Sequence, residues 1–161
     1  MRTITIAYDI LNGENNDLFK TAMMIRPFKQ SDTQALISLW RDLGLVTDSN
    51  DPLKDIDRKL KVNPELLLVA IKDARVIGSV MGGYEGHRGW VNYLAVATEF
   101  QRQGIATLLM QEVEAKLLLL GCPKINLQVR NSNDQVMAFY RALGYCDDKV
   151  VSFGKRLISD N

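Results

Sequence analysis

Gln101-Arg102-Gln103-Gly104-Ile105-Ala106 is the stretch from which the rest of the chain can be read. It follows an apolar run, Trp90 to Val96, and opens a long periodic one. Ile105, Leu108, Leu109, Val113, Leu117 and Leu120 fall on one helical face before Gly121 closes the helix. A strand thus runs into the first turn of a helix at this point. That first turn carries N–H groups with no intrahelical partner, and the helix dipole makes it positive, so anions are stabilised there. Gly104 and Ala106 lack bulk, so the backbone of Gln101 to Thr107 is open to a close-lying phosphate, and Arg102 adds a charge. The same small residues also suit tight packing of helix on strand, and the hexapeptide alone does not choose. It is not a nucleotide P-loop, because no Gly-Lys-Ser/Thr follows, and it has only one glycine of the dinucleotide fingerprint.

Upstream, Met24 to Phe28 reads as a strand, and Ser31 with Gln34 as a capping box. Leu36, Leu39, Trp40 and Leu43 then mark one helical face, ended by Gly44. Asp51-Pro52 is an N-cap followed by proline at the first helical position, with Leu53, Ile56 and Leu60 as the stripe of a second helix. Leu66 to Ile71 and Val76 to Tyr84 form a hairpin across Lys72-Asp73-Ala74-Arg75. A glycine-flanked polar loop, Tyr84 to Gly89, leads into the strand Trp90 to Val96. Downstream come a strand at Lys124 to Val129, a helix with Val136, Phe139, Tyr140 and Leu143 on one face, and a last strand from Tyr145 to Phe153. The order β-α-α-β-β-β-α-β-α-β mixes a hairpin with parallel crossovers. It predicts an α/β fold whose mixed central β-sheet is flanked by helices on both faces.

Residues 1–23 read as an extension before this domain, which spans 24–161: Met24 opens a fresh strand after the turn signal Asn12-Gly13, and the extension is a tag, an upstream start or an added strand at Arg2 to Leu11. The 161 residues carry 20 basic and 19 acidic groups, a net charge of +1, which argues against a nucleic-acid partner. No apolar run reaches the ~18 residues that span a membrane, and Asp9 interrupts any secretory signal, so a cytoplasmic protein is expected. Cys122 and Cys146 lack metal-ligand spacing and read as two reduced core thiols, and His87 is the only histidine, so no metal is expected.

A second motif joins the first: Asn133, then Val136, then Phe139-Tyr140, then Leu143-Gly144-Tyr145. Together they resemble the GCN5-related N-acetyltransferase (GNAT) family, with Arg/Gln-x-x-Gly-x-Gly/Ala after the fourth strand and Asn-x-x-Ala-x-x-Phe/Tyr-Tyr before a closing Gly-Phe/Tyr. The resemblance runs from about Met24 to Phe153. Met81 to Gly89 and the tail Gly154 to Ile158 further resemble the bacterial YpeA-type subgroup. What it implies is a single GNAT-like domain that moves an acetyl group from acetyl-CoA, a co-substrate, to a primary amine by direct attack. The acceptor is a small-molecule or protein amine, and a homodimer is left open.

By the same resemblance, the backbone of Gln101, Arg102, Gln103, Gly104, Ile105, Ala106 and Thr107 holds the coenzyme A pyrophosphate. The edge of Leu94, Ala95 and Val96 pairs with the pantetheine arm and offers N–H groups to the thioester oxygen. Asn133 bonds the pantetheine, and Tyr140 lies near the sulfur. A phenol at pKa ~10 donates to a thiolate of ~8.5 uphill, so a hydrogen bond to the departing sulfur matters more than outright donation. For the amine's proton, a glutamate serves in the relatives that acetylate ribosomal-protein N-termini, but Gln128 stands in its place and cannot accept a proton. Glu85, His87, or a water held by Asn92, Tyr93 or Gln128 are the alternatives. The rival to an enzyme is a non-catalytic acyl-CoA-binding regulatory module, which needs no base.

Overall fold

A computed structural model describes residues 23–160. The strand expected at Arg2 to Leu11 lies outside the described residues. Five strands form one sheet in sequence order: β1 Met24–Pro27, β2 Leu67–Lys72, β3 Arg75–Tyr84, β4 Gly89–Val96 and β5 Ile125–Leu127. The first four run antiparallel to their neighbours, and β5 runs parallel to β4. The helices are α1 Thr33–Asp42, α2 Pro52–Leu60, α3 Ile105–Leu119 and α4 Asp134–Ala142.

Strand periodicity explains why both faces are covered. Leu66, Leu68 and Ala70 share a core with Leu109, Met110, Val113 and Leu117 of α3 and Tyr140 of α4. Leu67 and Val69, the residues between, share the opposite core with Leu36 and Trp40 of α1 and Ile56 of α2. A run apolar at every position is what a strand buried on both faces requires. Truncating a fully buried leucine such as Leu68 or Leu109 removes about 2–5 kcal/mol. The mixed sheet with helices on both faces is therefore as expected.

Local signals placed most elements. Asp51 Oδ1 accepts from the N–H of Leu53 at 2.9 Å and of Lys54 at 3.4 Å, capping α2 behind Pro52. Asp73 and Ala74 both have positive φ, 50° and 61°, which gives the β2–β3 hairpin a turn that matches strand twist.

Four expectations are corrected. The Ser31–Gln34 box does not cap α1; Asp32 instead accepts the Lys29 N–H at 2.8 Å while Arg26 grips both its oxygens at 2.7 and 2.9 Å. Leu53 and Leu120, assigned to buried stripes, are exposed. Cys122 is buried but Cys146 is exposed, and both are free thiols. The strand expected at Tyr145 to Phe153 does not form. Lys149 takes φ 53° in the middle of it and breaks the extended run. Side chains tie the segment down instead, Lys124 to Asp148 at 2.6 Å and Gln128 Nε2 to Ser152 Oγ.

Candidate active site

One strand of the sheet loses a neighbour part-way along. β4 pairs β3 along its length, but it pairs β5 only through Gly89↔Ile125, Trp90↔Asn126 and Val91↔Leu127. Beyond Val91 the β5-facing edge of β4 is open. The register with β3 shifts at the same place. Ser79 faces Ala95 and Met81 faces Asn92, so Tyr93 and Leu94 together stand opposite Val80. This is a β-bulge, the device that bends a strand and re-aims its backbone.

Tyr93 carries the bulge at φ 50°, a left-handed conformation that costs a residue with a Cβ about 1–2 kcal/mol. Contacts from three other elements hold it there. Its ring stacks on Trp40 with centroids 4.0 Å apart and an interplanar angle of 19°. Its hydroxyl donates to Asp55 Oδ2 at 2.7 Å, and its carbonyl accepts from Ser79 Oγ at 2.9 Å. Ser79 Oγ in turn accepts from Trp40 Nε1 at 2.9 Å. Burial, and then Asp55, push the Tyr93 phenol up to about 12, so it stays a donor at any working pH.

After β4 the chain makes a 3-10 turn at Thr98–Phe100 and enters α3. The side chains of Gln101 and Gln103 fold back on the backbone carbonyls of Val96, at 3.1 Å, and Glu99, at 3.2 Å. Arg102 and Gly104 are both left-handed, at φ 61° and 80°. Alternation of this kind turns successive N–H groups into one concavity, an anion nest. Gly104 is the N-cap of α3 with no side-chain cap, and no acidic residue lies in the first turn. The first intrahelical bond is Leu108 N–H to Gly104 O at 3.1 Å, so Ile105, Ala106 and Thr107 point uncapped N–H groups out of the helix end. A Cβ on Gly104 would meet no atom within 4 Å, so its constraint is conformational rather than steric.

From α4, Asn133 is the helix N-cap, its Oδ1 accepting the Val136 N–H at 3.1 Å. Its amide nitrogen is left for other use. Tyr140 is 9% exposed and belongs to the same core cluster as Val96, Ile105, Leu94 and Ala106. Its ring sits edge-on to Phe139 and Tyr145, at 5.1 and 5.6 Å. Burial alone pushes its phenol up to about 12. The neighbouring Tyr145 hydroxyl is committed to Glu114 at 2.7 Å. Tyr140 also borders a groove of 1580 Å³ lined by Trp90, Asn126, Gln128 and Arg130 among others.

Leu94–Val96 and Gln101–Thr107 lie where β4 runs into α3, and Tyr140 shares a core cluster with Leu94, Val96, Ile105 and Ala106. Glu85 and His87 are not among them. They lie in the turn beyond the Tyr84↔Gly89 pair, separated from Leu94 by the length of β4, roughly 16 Å at 3.3 Å per residue. The Glu85 carboxylate is occupied there, accepting the N–H groups of His87 at 2.9 Å and Arg88 at 2.7 Å. Sequence reading missed the Tyr93 bulge and the buried Ser79 hydroxyl behind it. No local signal marks either, because their partners are distant in the chain. Among the described residues there is no cluster of three metal-ligating side chains and no helix long and apolar enough to cross a membrane.

Residues 33–145, from α1 to just past α4, match the sequence profile of the acetyltransferase (GNAT) family. The chain belongs to that family. It is accordingly an acetyl-CoA-dependent N-acetyltransferase of the GNAT type. Proteins named acetyltransferases from Pectobacterium atrosepticum and Yersinia enterocolitica are 48% and 47% identical to it over 138 residues, 86% of this chain and 98% of each relative. Among solved structures, an aminoglycoside N-acetyltransferase in complex with CoA superposes with a TM-score of 0.74 at 18% identity, covering 89% of this chain and all of that one. Ard1 from Thermoplasma volcanium superposes at 0.66 with 22% identity, over 77% of this chain and 82% of that one. Likenesses at that level of identity establish the GNAT fold.

Proposed function

We propose that this GNAT enzyme moves the acetyl group of acetyl-CoA onto a primary amine by direct attack, without an acyl-enzyme intermediate. The observation that carries the reading is the open, bulged half of β4 set beside the uncapped first turn of α3. One offers unpaired backbone polar groups to a strand-like pantetheine, and the other offers N–H groups to a pyrophosphate.

In this reading Gln101 to Thr107 bind the pyrophosphate through the backbone, with Arg102, which is exposed, as a mobile counter-charge. Leu94, Ala95 and Val96 pair with the pantetheine, and the Leu94 N–H faces the thioester oxygen, where negative charge develops. The Asn133 amide nitrogen contributes a further hydrogen bond to the arm. Tyr140 stabilises the departing sulfur. With its phenol at about 12 against ~8.5 for a thiol, proton transfer to the thiolate is more unfavourable than reference values imply. Tyr140 therefore acts as a hydrogen-bond donor, and the thiolate can leave without taking its proton. Free Cys122 is used locally, its Sγ donating to the Lys124 carbonyl at 3.3 Å, which gives an acyl-cysteine route no support.

No carboxylate or imidazole of the turn at Glu85–Arg88 is assigned to the amine. The acceptor reaches the thioester as the free base, or loses its proton to water. The acceptor itself is a small-molecule or protein amine. The test is a screen of amines with acetyl-CoA, reading thiol release. Steady, amine-dependent release supports the enzyme, and tight acetyl-CoA binding without release from any amine class supports the regulatory module.

A further inference from the structure

Tyr93 and Leu94 share one peptide unit, and a trans peptide is planar, with its C=O and N–H pointing opposite ways. Whatever fixes the Tyr93 oxygen therefore also aims the Leu94 N–H. Ser79 Oγ fixes that oxygen at 2.9 Å from the neighbouring strand β3. Ser79 is wholly buried, and so is Trp40, whose indole N–H at 2.9 Å uses the serine oxygen as acceptor and so directs the serine's own proton to Tyr93. The Trp40 ring meanwhile stacks on the Tyr93 ring, holding the side chain that belongs to the same left-handed residue. Asp55 of α2 holds the far end of that side chain by its hydroxyl at 2.7 Å.

Neighbouring bonds agree on the direction of the N–H. Ala97 donates to Ile77 on β3, at 2.9 Å, and Ala95 pairs with Ser79, so odd positions of this half of β4 face β3. Even positions, Leu94 and Val96, face the other way, across the edge where pairing with β5 has already stopped.

We propose that Ser79, locked by Trp40, is a positioning residue for catalysis. It holds the Tyr93–Leu94 peptide so that the Leu94 N–H is already aimed at the thioester oxygen before acetyl-CoA arrives. A donor fixed in advance needs no reorganisation when charge develops, which is where such groups gain their effect. Tyr93 and Asp55 complete the clamp. The inference deepens the functional reading above and rests on it.

The test reads the thioester carbonyl itself and needs no acceptor. Acetyl-CoA carrying a 13C-labelled carbonyl is bound to the protein, and its C=O stretch is recorded by infrared difference spectroscopy, beside calorimetry with free CoA, which has no such carbonyl. In the wild type the stretch should lie at lower frequency than that of a thioester without a hydrogen-bond partner. Ser79→Ala should move it back up and broaden it, while free CoA affinity stays within about threefold. With a productive amine its kcat should fall roughly 10-fold or more, KM for acetyl-CoA changing little. Ser79→Ala leaves two buried groups unpaired and could lower stability, so Trp40→Phe serves as the second variant. It keeps a stacked ring, loses only the indole N–H bond to Ser79, and should shift the stretch in the same direction by less. An unmoved carbonyl stretch in either folded variant would overturn the inference alone. Failure of wild-type protein to bind acetyl-CoA would overturn the functional reading and the inference with it.

Discussion

The two halves of β4 belong to one strand and have opposite roles. Gly89 to Val91 is paired on both edges and ends in a tight turn. Asn92 to Val96 is paired on one edge only, is bulged at Tyr93, and runs into an uncapped helix. The proposed chemistry needs backbone groups that are held rigidly but not paired, and of the two halves the second has the unpaired edge. The turn that leads into the first half carries the more reactive-looking side chains, Glu85 and His87, and there the Glu85 carboxylate is taken up by the N–H groups of His87 and Arg88.

That contrast can be broken most sharply at Tyr140. Tyr140→Phe should cost ~10²-fold in turnover, the usual scale for a lost donor at a leaving group, with little change in acetyl-CoA affinity. The wild-type rate should rise with pH as an amine of pKa ~10.4 loses its proton. A phenol at about 12 stays neutral through that range, so Tyr140 should cause no downturn. Full turnover in Tyr140→Phe on a proven substrate would return Tyr140 to the core.

Gly104→Val tests the helix end that the open half runs into. The variant has room for its side chain but must hold a β-branched residue at φ 80°. Refitting that position tilts the nest of N–H groups, and acetyl-CoA affinity by calorimetry should fall by roughly tenfold, the equivalent of about 1–2 kcal/mol of left-handed strain. The circular-dichroism spectrum should stay native. Unchanged affinity would mean the phosphates bind elsewhere.

A smaller effect is expected at Asp160, which braces α2 and hence the helix that carries Asp55. Its carboxylate pairs with Arg58, and its backbone carbonyl accepts from Lys54 Nζ at 2.6 Å. The Arg58 guanidinium holds it down at about 2, below its ordinary value of ~3.9. A depressed carboxylate stabilises the fold above its unfolded pKa and loses that contribution as pH falls through its folded one. Asp160→Asn should lower the melting temperature by a few degrees at neutral pH, and the gap to wild type should close as pH drops from about 4 toward 2.

The smallest effect is expected at the closed end. Glu85→Gln and His87→Gln should each keep turnover within about twofold of wild type, with the same pH profile. A large loss of turnover in His87→Gln, with a changed pH profile, would place a base at the other end of β4 and break the comparison.

The elements on which the proposed site rests were legible from spacing. The α3 stripe beginning at Ile105, the glycine at its start and the Asn133-to-Tyr140 interval all lie within one or two turns of helix, so each is a local pattern. Expectations failed where a short-range pattern met a long-range competitor. Ser31 and Gln34 looked like a cap, but Arg26 and Lys29 had already claimed Asp32 for that corner. Tyr145 to Phe153 has the composition of a strand, yet left-handed Lys149 interrupts it.

The sequence by itself determined the alternation of elements as far as α4, the burial of β2 on both faces and the identity of the helix whose first turn offers N–H groups. Those properties follow from periodicity and caps, which a chain carries in neighbouring residues. Only the tertiary structure decided where β4 parts from β5 and which way the Tyr93–Leu94 peptide faces. The bonds that set that peptide join residues 14, 38 and 39 positions apart, and no window of sequence contains them. A backbone orientation held by such distant partners exists only once the sheet and its two helical layers have closed around it.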